Sequence, residues 1–424
     1  MSRYSVVIFG ATGFTGKYAA VEMARLVREQ PRLSWAVAGR SQTKLEDLMR
    51  DVAEATGEDQ SHVKIIVADV NDEESLKAMC GQAQVVANCC GPYRLYGEPV
   101  VRAAVQCKAH YVDITGEPQF IETMQLKYDT LAREAGVYVI SACGYDCVPN
   151  DMGVVFLQDN FGGTLNSVES YMSSSLPPEH RAAARARGVI HFGTWESLVL
   201  GYVTLARKHK HTIGLILSKM CSGIIHRRGA GWAVPFLGAD RSVVRRSQRR
   251  RAAAGARPAH FRAYLRLPAL RHALALVLGA ALLFLMTRFK VTRDLLLKHP
   301  RLFSAGFVSR EGPSREVAEA AAFRVDLHGV GWAGAGTSGP CDKAVSPDVK
   351  LTVRAVRQVS GSNPGYGATV VALLQCALTL LEEPDKLPDK GGVLTTAAAF
   401  RNTRLIQKLN ENGIKFEIVS ITTM

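Results

Sequence analysis

No two of the nine cysteines stand at Cys-x-x-Cys spacing: Cys89 and Cys90 are adjacent, and Cys143 and Cys147 have no second pair to join. That argues against the common zinc frameworks and a disulfide scaffold, so no metal is expected. Free thiols in a reducing compartment are the expected state. A cleavable leader is missing too, because Met1 runs almost directly into an apolar strand, and the expectation is a chain that is not secreted. No C-terminal address or lipidation motif follows. Acids are scarce in one long segment. Between Tyr171 and Arg310 there are 25 Lys and Arg against four acids, Glu179, Glu196, Asp240 and Asp294. That segment is net +21 and the rest net −7, within a total of +14. Aromatic residues are sparse there and no nucleic-acid motif is present, so nucleic acid is not an expected partner.

What is present organises itself around residues 5–16, SVVIFGATGFTG. Ser5–Phe9 is a short β-branched apolar run, the pattern of a buried parallel strand. Gly10, Gly13 and Gly16 follow at spacing three, and a helical pattern begins at Thr15, with Ala20, Met23 and Val27 on one face. Strand, glycine turn and helix together form a dinucleotide-binding context, here spaced G-x-x-G-x-x-G. Gly10 permits the turn, Gly13 lets backbone N–H groups approach a pyrophosphate, and Gly16 lets the helix pack close to the strand. Gly10, Thr12, Gly13, Phe14, Thr15 and Gly16 are therefore the candidate phosphate turn.

A second strand, Ser34–Ala38, ends in Gly39-Arg40-Ser41. An acid at this position would hold a ribose 2′-hydroxyl. Arg40 instead suits a 2′-phosphate, so NADP is expected, with NAD as the alternative. Lys44 is either a helper or a solvated charge. Val63–Ala68 is a third strand followed by Asp69, which either lies near the adenine or caps the helix over Ser75–Met79. A fourth strand over Val85–Ala87 leads into Asn88-Cys89-Cys90-Gly91-Pro92-Tyr93. Ligands in doubly wound sheets sit outside the carboxyl ends of strands, so Asn88, Gly91 and Pro92 should touch the nicotinamide end, with the two cysteines as wall. A helix over Pro99–Lys108, a strand over His110–Ile114, a helix over Ile121–Ala135 and a strand over Val137–Ser141 complete six alternating units. Asp113, Glu117 and Asp146 gather at strand ends. Tyr93 and Asp146 are the candidates for proton transfer. Asn150 or Asp151 is expected to cap a helix ending near Asn160.

The pattern then changes. Leu165–Met172, Ala322–Leu327 and Val349–Val356 alternate with period two, implying a mainly antiparallel sheet. The fold class is α/β: an N-terminal Rossmann doubly wound parallel sheet over residues 1–150, then an α+β domain over 151–370. Residues 371–424 form a C-terminal segment that packs back on the first domain. A helix over Ala368–Leu381 runs into them, followed by a helix over Thr403–Leu409 and a strand over Ile414–Ile421. Gly329–Gly339 reads as an exposed hairpin loop. Residues 198–310 form a basic and apolar insertion, in which Ala273–Met286 carries no charge for fourteen residues and is flanked by Arg266, Arg271, Arg288, Lys290 and Arg293. At ~1.5 Å per residue it falls short of a ~30 Å hydrocarbon core. It is either a buried helix of the second domain or an interfacial or hairpin membrane anchor, its cationic flanks drawn to anionic lipid.

These stretches resemble the saccharopine dehydrogenase-like oxidoreductases of animals. The likeness runs through VVIFGATGFTG (6–16), WAVAGRSQTKL (35–45), GPYRLYGEPVV (91–101), DITGEPQF (113–120), MQLKYDTLAREAGVYVI (124–140), GTWES (193–197), VPFLGADRSVVRRSQR (234–249) and KGGVLTTAAAF (390–400). It implies an NADP-type Rossmann domain, hydride transfer, and association with membranes or a lipid-droplet surface, on the cytoplasmic face or at mitochondria, with a homodimer as one assembly. A branch of enoyl reductases acting on long lipid substrates is similar as well. The substrate so implied is a small molecule or a lipid. The second reading is a non-catalytic nucleotide-binding scaffold on the same surface. Two stretches depart from the family pattern, Ala182–Arg187 and the Arg- and Ala-rich residues 251–258. Both read as loops.

Overall fold

The computed structural model describes residues 3–208, 225–228, 231–333 and 353–423. The first sheet grows from β1 (Tyr4–Phe9), whose Val6, Val7 and Ile8 are fully buried. The chain then alternates α1 (Phe14–Glu29), β2 (Trp35–Gly39), α2 (Gln42–Thr56), β3 (Lys64–Val67), α3 (Glu73–Gly81), β4 (Ala83–Asn88), α4 (Tyr93–Gln106), β5 (His110–Asp113), α5 (Pro118–Ala135), β6 (Tyr138–Ile140) and α6 (Val148–Asp159). Strands buried on both faces need apolar residues at every position, which is why these runs are continuous rather than alternating.

Two elements start where the sequence did not place them. Helix α4 begins at Tyr93, not Pro99, and carries Pro99 inside it. Its start is set by Glu117, whose carboxylate accepts the Tyr93 and Arg94 N–H groups. A carboxylate from a distant turn thus satisfies the first-turn donors of α4. Helix α6 has no side-chain cap, and Asn150 and Asp151 lie within it, turned to other partners.

The second sheet is built from β7 (Gly163–Ser175), β9 (His226–Arg228), β10 (Gly231–Pro235), β11 (His260–Leu267), β13 (Ala322–Ala333), β14 (Val353–Ser362) and β16 (Lys415–Thr423). Its order is β16-β14-β13-β7-β11-β10-β9, antiparallel throughout except for β7 beside β11. Phe323, Val325 and Leu327 alternate inward on β13, toward α6. A Cβ on Gly153 of α6 would lie 2.4 Å from Leu327 Cδ1, so helix and sheet approach without room for a side chain. Gly329–Ala333, expected in a loop, continues β13, and residues 334–352 lie outside the described part. The expected loop at Ala182–Arg187 is instead part of the helix α7 (Arg181–Arg187); of the expected loop over residues 251–258, the first three close the helix Asp240–Ala253 and the rest is irregular. Two short strands, β8 (Ile190–His191) and β12 (Val308–Ser309), pair in parallel beside α8 (Phe192–Lys208).

After β14 the chain re-enters the first layer. The helix Gly367–Glu382 is buried along most of its length, and β15 (Gly392–Leu394) pairs in parallel with β6. The first sheet therefore has seven parallel strands, ordered β15-β6-β5-β4-β1-β2-β3. β1 pairs with β2 on one side and β4 on the other, so a crevice opens outside the carboxyl ends of β1 and β4.

The apolar segment of the insertion forms the helix Leu270–Met286, in which Ala273 and Phe284 are the buried residues. Leu278 is 69% exposed and Leu282 58%. That overturns the expectation of a buried helix: a small core of Trp195, Val199, Leu296 and Val308 holds one side, with Leu283 and Met286 against it, and the other side meets solvent. Among the described residues no helix is long and apolar enough to cross a membrane.

Candidate functional site

The crevice begins at the glycine turn. Gly10 has φ +76°, where only glycine is unstrained, and a Cβ there would stand 2.9 Å from the Cys90 nitrogen. The N–H groups of Gly10 and Ala11 both donate to the Ala38 carbonyl, pinning the turn to the end of β2. A Cβ on Gly16 would lie 2.2 Å from the Gly10 oxygen, so α1 rests directly on the turn. Gly13 caps α1 without a side chain, and the first turn holds no acid. Around it, α2 is capped by the Ser41 hydroxyl and α3 by the Asp72 carboxylate. Among the described residues no side chain caps the first-turn N–H groups over Phe14, Thr15 and Gly16, beside Thr12. An anion would complete this helix end.

Arg40 is exposed at the carboxyl end of β2 and makes no hydrogen bond or ion pair among the described residues. It lies near Cys90, whose thiol burial raises while Arg40 draws it back and Asp69 raises it further. Arg40, Asp69 and the glycine turn therefore border one space. Asp69 does not cap α3, contrary to one of its two expected roles. Its carboxylate folds back on Asn71, accepting the backbone N–H at 2.9 Å and the side-chain amide at 3.1 Å. Asp72 is the cap because the helix starts one residue after it.

The next loop is organised from within. Asn88 is fully buried; its amide donates to the Tyr111 hydroxyl, and its side-chain oxygen accepts the Cys90 N–H. The Tyr93 hydroxyl donates to the Asn88 carbonyl at 2.8 Å, with the ring buried. Burial raises its pKa well above the ordinary value, with Asp113 adding to the rise. That geometry turns the hydroxyl inward and disfavours Tyr93 as the proton carrier. Gly91 is exposed, while Pro92 is buried and caps α4. Burial pushes the Cys89 thiol up to about 12, which leaves it un-ionised and a wall residue.

The acids separate by environment. Asp113 is buried and accepts from Thr115 N–H, Ala142 N–H and the Ser141 hydroxyl, stitching β5 to β6; burial still raises it to about 6. Glu117 is buried and takes Arg94 Nε at 2.5 Å and the Ser197 hydroxyl at 2.9 Å, tying α4 to α8. Asp151 accepts from Ser247, Thr396 and Ala397 N–H. These three are occupied. Asp146 is partly buried and has no hydrogen-bond partner among the described residues; its Oδ2 lies 3.0 Å from where a Gly116 Cβ would be. Burial raises its pKa. It is the free acid at the strand ends.

Three contributors went unread in the sequence: the His191–Tyr366 pair against Phe14, Arg94 and Asp240. Phe14 stacks on His191 (4.8 Å, 20°) and meets Tyr366 edge-on at 4.5 Å, while the Tyr366 hydroxyl accepts the His191 N–H. Strand β8 and the residue before the helix Gly367–Glu382 thus lean on the glycine turn. Arg94 reaches the Leu200 carbonyl as well as Glu117. Asp240, at the start of the helix Asp240–Ala253, accepts the Asn150 side-chain amide from α6 at 2.6 Å. Its signal was its isolation, as the single acid between Glu196 and Asp294 in a strongly basic segment. Elsewhere, a polar cavity of about 370 Å³ lined by Arg25, Glu29, Lys408 and Glu411 lies by the far end of α1, away from the turn.

The comparisons with known proteins agree with this geometry. The family model for the saccharopine dehydrogenase NADP binding domain matches residues 6–140. A human saccharopine dehydrogenase-like oxidoreductase is 38% identical over 98% of this chain and 97% of its own. A Caenorhabditis elegans protein named lipid droplet localized protein is 39% identical, covering 99% of each. Apo saccharopine dehydrogenase (L-Glu forming) from Saccharomyces cerevisiae superposes with a TM-score of 0.54 at 14% identity, over 98% of this chain and 99% of that one. The last likeness concerns the fold. The open amides of α1 and the unpaired Arg40 fit the NADP that the matched domain binds.

Proposed function

Because this chain belongs to the saccharopine dehydrogenase-like oxidoreductases, we propose that it moves a hydride between NADP and an apolar, lipid-like substrate at a lipid surface. One observation carries the cofactor part: the N-terminus of α1 is the anion-ready end that its neighbours are not, with Arg40 free beside it. Gly10, Thr12, Gly13, Phe14, Thr15 and Gly16 would cradle the diphosphate. Arg40 and Ser41 would meet the 2′-phosphate, with paired guanidinium donors matched to phosphate oxygens. Asp69 would border the adenine side, and the Asn88–Pro92 loop would back the nicotinamide.

The bound nucleotide supplies or accepts the hydride. The chain's own task is the proton. Reduction of C=O, C=N or C=C leaves charge on the second atom, and Asp146, raised by burial, would protonate it. Removal of water from the crevice would fall to the Phe14–His191–Tyr366 contact. Support for a lipid surface comes from the exposed Leu274, Leu278, Leu282 and Leu285 on one helix, flanked by Arg271, Arg288, Lys290 and Arg293. Exposed apolar side chains beside cations suit the boundary of an anionic leaflet, and the name of the nematode relative points the same way.

The experiment is titration of NADPH fluorescence, followed by NADPH oxidation against aldehydes, imines and long-chain enoyl esters. Binding with turnover of an apolar acceptor is expected. Absence of NADPH binding would remove the proposal, and binding with no oxidation of any acceptor would favour a scaffold.

A further inference from the structure

The polar cavity of about 370 Å³ at the far end of α1 is where three helices stop: α1, the helix Gly367–Glu382 and the helix Leu405–Glu411. The last residue of each is a glutamate, and Glu29, Glu382 and Glu411 all line the cavity. A helix C-terminus carries roughly half a negative charge and is stabilised by cations, so an acid there is unfavourable. Here the unfavourable residue stands at three helix ends that meet in one place. The cations of the wall are already engaged. The Arg25 guanidinium donates to Glu22, Glu29 and Asn412. The Lys408 ammonium donates to Glu382 Oε2 at 2.7 Å and to the Thr379 hydroxyl at 3.3 Å, and stands 3.8 Å from Glu383. Arg404, largely exposed, has its Nε 3.6 Å from Glu383, whose other oxygen takes Lys386. Glu411 accepts the Gln407 amide at 2.9 Å and has no ion pair among the described residues. Five carboxylates thus share four cations, and three helix ends add to the negative side.

Two polar groups of the wall lack partners. Gln375 lines the cavity and is 4% exposed, and its side-chain amide makes no hydrogen bond among the described residues. Glu382 Oε1 is buried and has no donor among them either. Buried polar groups are costly to leave unpaired unless a ligand completes them. A carboxylate oxygen only accepts, so what completes Glu382 must donate. Among the described residues no group of acids, histidines or cysteines could hold a metal ion. We propose that this cavity binds a small aliphatic polyamine, its ammonium groups donating to Glu411, to Glu382 Oε1 and to the Gln375 side-chain oxygen. Each ammonium brings three donors and a positive charge to acceptors held at helix C-termini. The methylene chain between two ammonium groups lets one molecule reach acids on different helices. The chain as a whole is net +14, so its general field repels a polycation, and saturable binding needs a local site of this kind. The inference is independent of hydride transfer, because the glycine turn lies at the other end of α1.

The test is calorimetric titration of the full chain with spermidine, and with putrescine as the shorter probe. One saturable site per chain is expected, with a melting temperature that rises with spermidine concentration. Glu411→Gln changes an exposed charge and should weaken binding by about two- to fivefold. Glu382→Gln keeps an acceptor for Lys408 and should weaken it by about tenfold or more. Gln375→Leu gives up no hydrogen bond, so it should melt at or above the wild-type temperature while binding falls by about fivefold or more. A glutamine kept only for packing would behave the other way, with a lower melting temperature and intact binding. Should Glu382→Gln not fold, Gln375→Leu and Glu411→Gln decide the matter. The proposal is overturned by the absence of saturable heat up to about 10 mM spermidine, or by unchanged affinity in both Gln375→Leu and Glu411→Gln. Equal stabilisation by magnesium chloride at matched ionic strength, or by the uncharged 1,4-butanediol, would overturn it as well.

Discussion

Replacing Arg40 with alanine tests the cofactor assignment most directly. Arg40 is exposed at the end of β2, beside the glycine turn, and has no partner among the described residues to compensate for its loss or complicate it. A hydrogen bond to a charged group contributes roughly 1.5–3 kcal/mol. With ~1.4 kcal/mol per factor of ten, that corresponds to about a 10- to 150-fold loss of NADPH affinity. Solvent screens an exposed guanidinium, so the low end, about tenfold, is expected. NADH lacks the 2′-phosphate and should bind as before. Arg40→Glu should weaken NADPH further by repulsion while sparing NADH. The exposed Lys44 should matter by about twofold or less, as for a solvated charge. Dissociation constants come from nucleotide fluorescence at two salt concentrations, and the NADPH preference should shrink as salt rises. Equal weakening of both nucleotides by Arg40→Ala, or no change in either, would refute the assignment.

Five further outcomes follow from particular residues. Gly16→Ala places a methyl 2.2 Å from the Gly10 oxygen; overpacking of about 1–3 kcal/mol should lower the melting temperature by several degrees and abolish NADPH binding. Gly13→Ala, with its nearest atom at 3.2 Å, should melt near wild type and lose affinity alone. Glu117→Ala strips Tyr93, Arg94 and Ser197 of a shared buried acceptor and should cost about 3–5 kcal/mol in denaturant unfolding, with Glu117→Gln intermediate. Cys89, held up to about 12, should resist iodoacetamide at pH 9 in the native chain and react once guanidinium unfolds it. The exposed pair Leu278→Asp and Leu282→Asp should leave stability almost unchanged and abolish flotation with anionic vesicles; flotation of the double variant would exclude this helix as the contact.

The order of the first six strands, the glycine turn and the position of Arg40 were legible in the sequence because each depends on neighbours in the chain. A buried parallel strand must be apolar throughout, and a turn that crosses +76° at Gly10 must be glycine there. The period-two runs announced the second sheet for the same local reason. The strand Gly392–Leu394 was not legible: three residues carry no period, and they become a strand by finding the free edge of β6. The start of α4 was decided by Glu117 from another turn, against a proline that argued for a later start.

The candidate site divides along the same line. Adjacent residues built the glycine turn, so the chain alone determined it. The division of labour among the acids depended on folding, since the sequence places Asp113, Glu117 and Asp146 alike at strand ends. Tertiary contacts occupy Asp113 and Glu117 with donors, leave Asp146 without one among the described residues, and bring Asp240 to Asn150. A carboxyl's chemistry depends on what desolvates it and what donates to it, and both come from residues far away in the chain.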